Sequence, residues 1–311
     1  MTPPVLFLIF NRPELTRQTF ERIRAARPPR LFVHADGPRA DRPDDRESCR
    51  LARQVVEQVD WPCEVTKLFR EQNLGCGPAV AGAIDWFFSQ VEAGIILEDD
   101  CAPLPGFFAF CAKALEHHRD DPSVMHVSGM GFDWPGLPRG TAAFLSPLPF
   151  IWGWATWRRA WSRYRRELPP SEETDRVLAK LSADGELRDY WREKLTATRA
   201  GEIRTWDYQW CFALWMHDGH ALTPTRSLVE NLGTGGDSTH ATDTRGYAPA
   251  ASSPVDVTPL AKPDRQDAFA EIHRRIFAAP RSLDTLFRRP GWLWFIYLGT
   301  RRRLLGLKRS Q

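Results

Sequence analysis

The sequence predicts an α/β fold built on a mixed, mostly parallel sheet, and two observations carry that prediction. Short apolar runs alternate with segments of helical periodicity through the first hundred residues. The runs end in polar or acidic residues: Asn11-Arg12, Asp36 and Glu98-Asp99-Asp100. In open α/β sheets ligands bind outside the carboxyl ends of the strands, so these three groups are expected to share one crevice.

Residues 5–10 (VLFLIF) form a continuous apolar run, the pattern of a strand buried on both faces. Asn11-Arg12-Pro13 breaks it. Residues 14–26 follow with Leu15, Phe20 and Ile23 at near-helical spacing and Glu14 in the first turn, where the helix dipole favours an acid. Residues 30–37 read as a second strand closing at Asp36-Gly37, 44–59 as a helix and 63–69 as a third strand. The glycine-containing stretch 73–77 precedes a third helix over 78–91. Residues 94–97 are the short apolar run that leads into the acids. Farther on, 107–118 reads as helix, 124–127 as strand and the Gly/Pro-rich 130–150 as loop. Residues 157–168 read as a basic helix with Trp157 and Trp161 one turn apart, 186–199 and 206–216 as helices, and 221–229 as a strand. Residues 246–264, with repeated Pro, Ala and Ser, read as a linker between a domain over 1–245 and a C-terminal region over 265–311. No internal repeat is present.

The chain has 311 residues, enough for a full core, and a globular composition with 42% hydrophobic and 26% charged residues. A net charge of +3 argues against general nucleic-acid binding. Six cysteines without a CxxC pair or metal-ligand spacing read as reduced thiols, and no segment at the start of the sequence reads as a signal peptide; both point to the cytoplasm. Positive charge concentrates in 288–311, where seven Arg and Lys residues flank the apolar stretch 292–298. Seven apolar residues are too short to span a bilayer, which takes about 20. Basic flanks around Trp, Phe and Tyr fit peripheral contact with the cytoplasmic face of an inner membrane; a helix docked on the protein's own core is the alternative. The oligomeric state is not legible.

Glu98, Asp99 and Asp100 pose an electrostatic problem, because adjacent carboxylates repel. A divalent cation solves it, and hard oxygen ligands beside a polyanionic substrate are the usual setting for Mg²⁺ or Mn²⁺. Alternation along a strand puts Glu98 and Asp100 on one face and Asp99 on the other. An ordinary acidic turn is the plain alternative. Gly233-Thr-Gly-Gly-Asp-Ser-Thr-His240 would let backbone N–H groups approach a diphosphate, with His240 a candidate ligand of metal or phosphate and Asn231 and Asp237 weaker ones. The 13 tryptophans suit stacking on sugars or bases, although burial is the default for each. Trp152 and Trp154 are expected in a loop where an indole can stack on a pyranose, and Trp157 and Trp161 in the core. Arg158, Arg159, Arg163, Arg165 and Arg166 are either a solvated face or an attractor for a phosphorylated acceptor.

The strand–helix–strand start, the aspartate closing the second strand and the acidic triplet together resemble glycosyltransferases of the GT-A fold, with Glu98-Asp99-Asp100 in the place of their DxD-type motif. That triplet and the downstream Trp206-Asp207 look like the N-acetylglucosaminyltransferase group that initiates complex N-glycans. Residues 153–161 and 231–240 look like a bacterial branch of uncharacterised sugar transferases. The resemblance covers about residues 3–245. It implies a UDP-sugar donor, UDP-N-acetylglucosamine being one candidate, with Mn²⁺ or Mg²⁺, and inverting transfer to a hydroxyl of a surface glycan or lipid-linked acceptor. It further implies that Asp100 is the direct metal ligand, that Asp99 and Glu98 contact the ribose and the sugar or a metal-bound water, that Asp36 bonds the base, and that Asn11 and Arg12 meet base or diphosphate. Asp207 would be the general base, its plain alternative being an acid that complements a helix N-terminus. Two other functions compete. A nucleotidyltransferase acting on a sugar phosphate shares a similar sheet, but the first strand here lacks a glycine-rich phosphate loop. An inactive carbohydrate-binding relative is the second, disfavoured by the retention of the triplet together with Asp207.

Overall fold

The computed structural model describes residues 1–131 and 140–233. Strands β1 (Val5–Ile9), β2 (Arg30–Ala35), β3 (Glu64–Phe69) and β4 (Ala93–Glu98) alternate with helices α1 (Pro13–Ala26), α2 (Asp45–Val55) and α3 (Cys76–Phe88). They form the parallel half of one sheet, in the order β3-β2-β1-β4. The short β5 (Cys101–Pro103) and α4 (Phe107–His117) follow, then β6 (Val124–Ser128), β7 (Ala143–Ser146) and β8 (Trp154–Trp157). After α5 (Arg158–Trp161), α6 (Ser171–Leu181), α7 (Gly185–Arg199) and α8 (Asp207–Met216) come β9 (His220–Pro224) and β10 (Val229–Asn231).

The eight-stranded sheet continues from β4 as β8-β6-β9-β7. β8 runs antiparallel to both β4 and β6, β9 is parallel to β6, and β7 is antiparallel to β9. This is the mixed, mostly parallel sheet with flanking helices that the sequence predicts. The order reverses between β1 and β4, and the carboxyl ends of those two strands open the crevice at such a switch point.

Both faces of β1 and β4 are covered, which is why their sequences are apolar without alternation. On one face Leu6, Leu8, Phe32 and Ile96 pack with Ile84 and Phe87 of α3 and with Trp210 and Leu214 of α8. On the other, Phe7, Ile9, Val33 and Leu97 pack with Phe20 and Ile23 of α1 and with Phe110 and Ala114 of α4. Each fully buried side chain of this size contributes ~1.5–3 kcal/mol by transfer from water. Gly94 is forced by this packing: a Cβ there would lie 2.3 Å from Cζ of Phe87.

Several boundaries differ from the sequence reading. The expected basic helix over 157–168 is only the four-residue α5. The Trp154–Trp157 segment, expected as a ligand-facing loop, is the buried strand β8. β7 lies inside the expected loop, and the expected strand over 221–229 divides into β9 and the separate β10. No helix among the described residues is long and apolar enough to cross a membrane. The linker, the basic aromatic C-terminal region, Asp237 and His240 lie outside the described residues.

Candidate active site

The floor of the crevice is set by the turns that leave β1 and β4. The chain leaves β1 through Phe10 and Asn11, and Arg12 stands immediately before α1, whose first turn begins with Pro13 as a helix start favours. The carbonyl of Arg12 accepts bonds from both the amide and the hydroxyl of Thr16, which fixes its backbone. Its guanidinium then grips two acids. Nη2 and Nε reach the carboxylate of Asp99, Nε at 3.4 Å, and Nη1 donates to Oδ2 of Asp100 at 3.0 Å.

This geometry corrects the expected alternation of the triplet. β4 ends at Glu98, the chain turns, and Asp99 and Asp100 both face Arg12. The Asp99 side chain is only 4% exposed and its carboxylate is enclosed by the guanidinium, so it is not open to ribose or metal. Arg12, expected at base or diphosphate, is the counter-charge of Asp99 and Asp100. The two acids raise its pKa well above the ordinary guanidinium value, outweighing the opposing and larger single effect of desolvation.

Glu98 differs from its neighbours. Its side chain is half-buried and has neither hydrogen bond nor ion pair among the described residues. Loss of water raises its pKa above the carboxylate range, and the charge on Asp100 pushes the same way. Asp99 is raised by burial too, with Arg12 opposing.

The opposite wall is built by the first turns of α3 and α8. Gly77 allows their approach, since a Cβ there would lie 3.0 Å from the carbonyl oxygen of Thr205. Asp207 opens α8, where its carboxylate accepts bonds from the Thr205 hydroxyl and from the Tyr208 amide at 3.0 Å. Cys76, first in α3, keeps exposed surface, and its thiol is pushed up to about 12 by desolvation and then by the charges on Glu98, Asp207 and Asp36. Tyr164, stacked on Trp161 with centroids 4.3 Å apart, feels Asp207 and Cys76 as well. Sequence reasoning missed Cys76 and Tyr164 as site residues. The only sequence signal for the first was its position in a glycine-rich helix start.

Asp36 is a second correction. It is 7% exposed, and four donors converge on its two oxygens: the amides of Gly37, Leu74 and Gly75 and the Asn73 side chain, at 2.9–3.2 Å. A carboxylate has about four acceptor positions, so none is left for a base. Asp36 instead fixes the 73–75 loop that leads into α3. Asn11 is likewise engaged, donating to Asp45 at 2.7 Å. Asp45 is held down to about 2, chiefly by its hydrogen bond with Arg39.

Trp154 is the third. It has no exposed surface and cannot stack on a sugar. Its ring stacks on His126 (centroids 4.8 Å) and on Trp206 (5.5 Å), each with planes 17° apart. Trp157 and Trp161 are buried as expected. The guanidinium of Arg158 bonds the carbonyls of Phe88 and Val91, and that of Arg159 the carbonyls of His118, Arg119 and Val124, so these two are not free for an acceptor.

Among the described residues no three Asp, Glu, His or Cys side chains are arranged to hold a metal ion. The donor set left by Arg12 is smaller: the unpaired carboxylate of Glu98 and that of Asp100, 16% exposed. Two hard oxygens fit a Mg²⁺ or Mn²⁺ ion that takes its remaining ligands from substrate phosphate and water.

No family model and no curated protein matches the chain. Solved structures similar to it include HddC from Yersinia pseudotuberculosis, 9% identical over 50% of this chain and 77% of that one, with a TM-score of 0.31. Mannose-1-phosphate geranyltransferase from Thermus thermophilus is 12% identical over 72% and 74%, with a TM-score of 0.32. The apo form of mouse xyloside xylosyltransferase 1 is 12% identical over 68% and 80%, also at 0.32. Likeness at this level carries no argument about substrate or reaction, which must rest on the residues of the crevice.

Proposed function

We propose that the chain is a GT-A-type glycosyltransferase that moves a sugar from a UDP-sugar, with UDP-N-acetylglucosamine a candidate donor, to a hydroxyl of a glycan or lipid-linked acceptor. What supports this reading is that Glu98 and Asp100 follow one another at the end of β4, at the switch point of the sheet, and that Asp207 opens α8 near enough to Glu98 for its charge to bear on that carboxyl.

Asp207 is the general base of this reading. Thr205 and the Tyr208 amide orient its carboxylate, and it takes the proton of the acceptor hydroxyl as that oxygen attacks the anomeric carbon from the face opposite the leaving nucleotide. Inversion follows from that single displacement. Glu98 and Asp100 would hold the cation, which when bound acts as a Lewis acid on the departing diphosphate. Cys76 and the 73–75 loop border the donor, and Asp36 acts by holding that loop in place. His240 is the proposed further contact to metal or phosphate, and 288–311 the proposed peripheral contact with the cytoplasmic face of a membrane.

The test is UDP release from a panel of UDP-sugars with and without Mn²⁺. Metal-dependent release with one donor, lowered by orders of magnitude in Asp207→Asn, supports the reading. No metal-dependent release with any donor overturns it.

A further inference from the structure

The acid triplet has three carboxyl groups, a formal charge of −3 when all are ionised, and Arg12 supplies one positive charge from within the fold. That charge is not shared evenly. Asp99 takes Nη2 and Nε side-on and is 4% exposed, whereas Asp100 takes only Nη1 of the guanidinium, at 3.0 Å, accepts the Cys101 thiol at 3.6 Å and is 16% exposed. The carbonyl of Arg12 is fixed by Thr16, and the carbonyl of Asp99 accepts the Thr19 hydroxyl at 2.9 Å, so α1 holds both partners of the two-pronged contact. The Asp100 contact is the single-bond arm of the same guanidinium.

We propose that Arg12 is a resident counter-ion of the acid triplet that competes with a divalent cation for Asp100, and so sets the affinity of this site for metal. The inference rests on the reading of Glu98 and Asp100 as a cation site and adds to it which residue tunes that site. Cation entry breaks the Nη1–Asp100 contact while the Asp99 grip remains.

The experiment is Mn²⁺ binding to the full chain, followed by the electron-spin-resonance signal of free Mn²⁺ and by the thermal shift Mn²⁺ induces. Four proteins are compared: wild type, Arg12→Gln, the pair Arg12→Gln/Asp99→Asn, and Asp100→Asn. The pair keeps the formal charge of the wild-type cluster, since −3 + 1 and −2 + 0 both equal −2, and leaves no carboxylate buried without a partner charge. Competition for Asp100 predicts that the pair binds Mn²⁺ about tenfold or more tightly than wild type, a change of about 1.4 kcal/mol. An affinity in the pair equal to or weaker than wild type overturns the proposal, including the case where Arg12→Gln alone tightens binding through overall charge. Mn²⁺ binding lost in Asp100→Asn shows that the cation reading stands in either case. Absence of Mn²⁺ binding in every protein overturns that reading and this inference with it.

Discussion

Trp206 stacks on Trp154 with ring centroids 5.5 Å apart and planes 17° apart, and the next residue in the chain is Asp207. The proposed base is thus seated on an aromatic core. Trp210, one turn along α8, donates its indole N–H to Nδ1 of His126 at 3.2 Å, and Nε2 of His126 bonds the Phe150 carbonyl at 3.0 Å. Trp154→Ala should therefore cost ~3–5 kcal/mol of stability, as large core aromatics do. Urea denaturation measures this. A variant of near-normal stability that loses only donor affinity would return Trp154 to the ligand-facing role.

Asp207→Asn should leave UDP-sugar binding within a few-fold of wild type and lower kcat by ~10²–10⁴, the usual worth of a positioned general base. Separate measurement of kcat and donor affinity checks this. Near-normal turnover would reduce Asp207 to an acid that complements the α8 N-terminus.

Asp36→Ala leaves the amides of Leu74 and Gly75 without their acceptor. Each such group costs ~1–3 kcal/mol where it stays shielded from water. The variant should melt at lower temperature and show faster amide exchange across 73–76. A base-reading role would instead weaken UDP binding with no change in melting.

Arg12→Gln on its own leaves Asp99 as a buried carboxylate without its partner, and the protein should lose ~3–5 kcal/mol. Adding Asp99→Asn should restore much of that loss. Calorimetry of the three proteins without metal tests the pair as a stabilising unit.

His126 and His34 set an acid limit. Burial lowers their pKa to about 3 and about 4, from 6.5. The unfolded chain gains these protons below about pH 6.5 and the native protein does not, so stability is complete above that pH and falls as pH drops. Each histidine contributes a loss of up to about 2 kcal/mol between pH 6.5 and 5. The difference in pH slope between wild type and His126→Gln isolates one of them. Equal slopes would mean that His126 titrates normally.

The parallel half was legible because strands covered on both faces must be apolar throughout: residues 5–10 and 94–97 announce β1 and β4 without ambiguity. The same logic misled at 154–157. A run of tryptophans after Gly153 resembles an exposed stacking loop as much as a central strand, and only its pairing with β4 and β6 decides the matter. Asp36 was singled out by its position at a strand end, and Asp207 through the resemblance. The saturation of Asp36 was invisible because three of its four donors lie in the loop after β3, well along the sequence. Arg12 was read as a contact for base or diphosphate because its acid partners lie in the turn after a strand far along the sequence. Sequence shows charges; their pairing across strands is a product of the fold.

β10 pairs with β5, the Leu232 amide donates to the Asp100 carbonyl at 2.7 Å, and a Cβ on Gly233 would lie 2.5 Å from Oδ2 of Asp100. The acid edge therefore belongs to a two-stranded ribbon as well as to the large sheet. Two-stranded ribbons open at lower free energy than the interior of a large sheet. Hydrogen exchange at the Leu232 amide thus reports local opening of the acid edge while the β1–β4 sheet stays closed, and a side chain at position 233 acts on Asp100 as directly as a change in β4 itself.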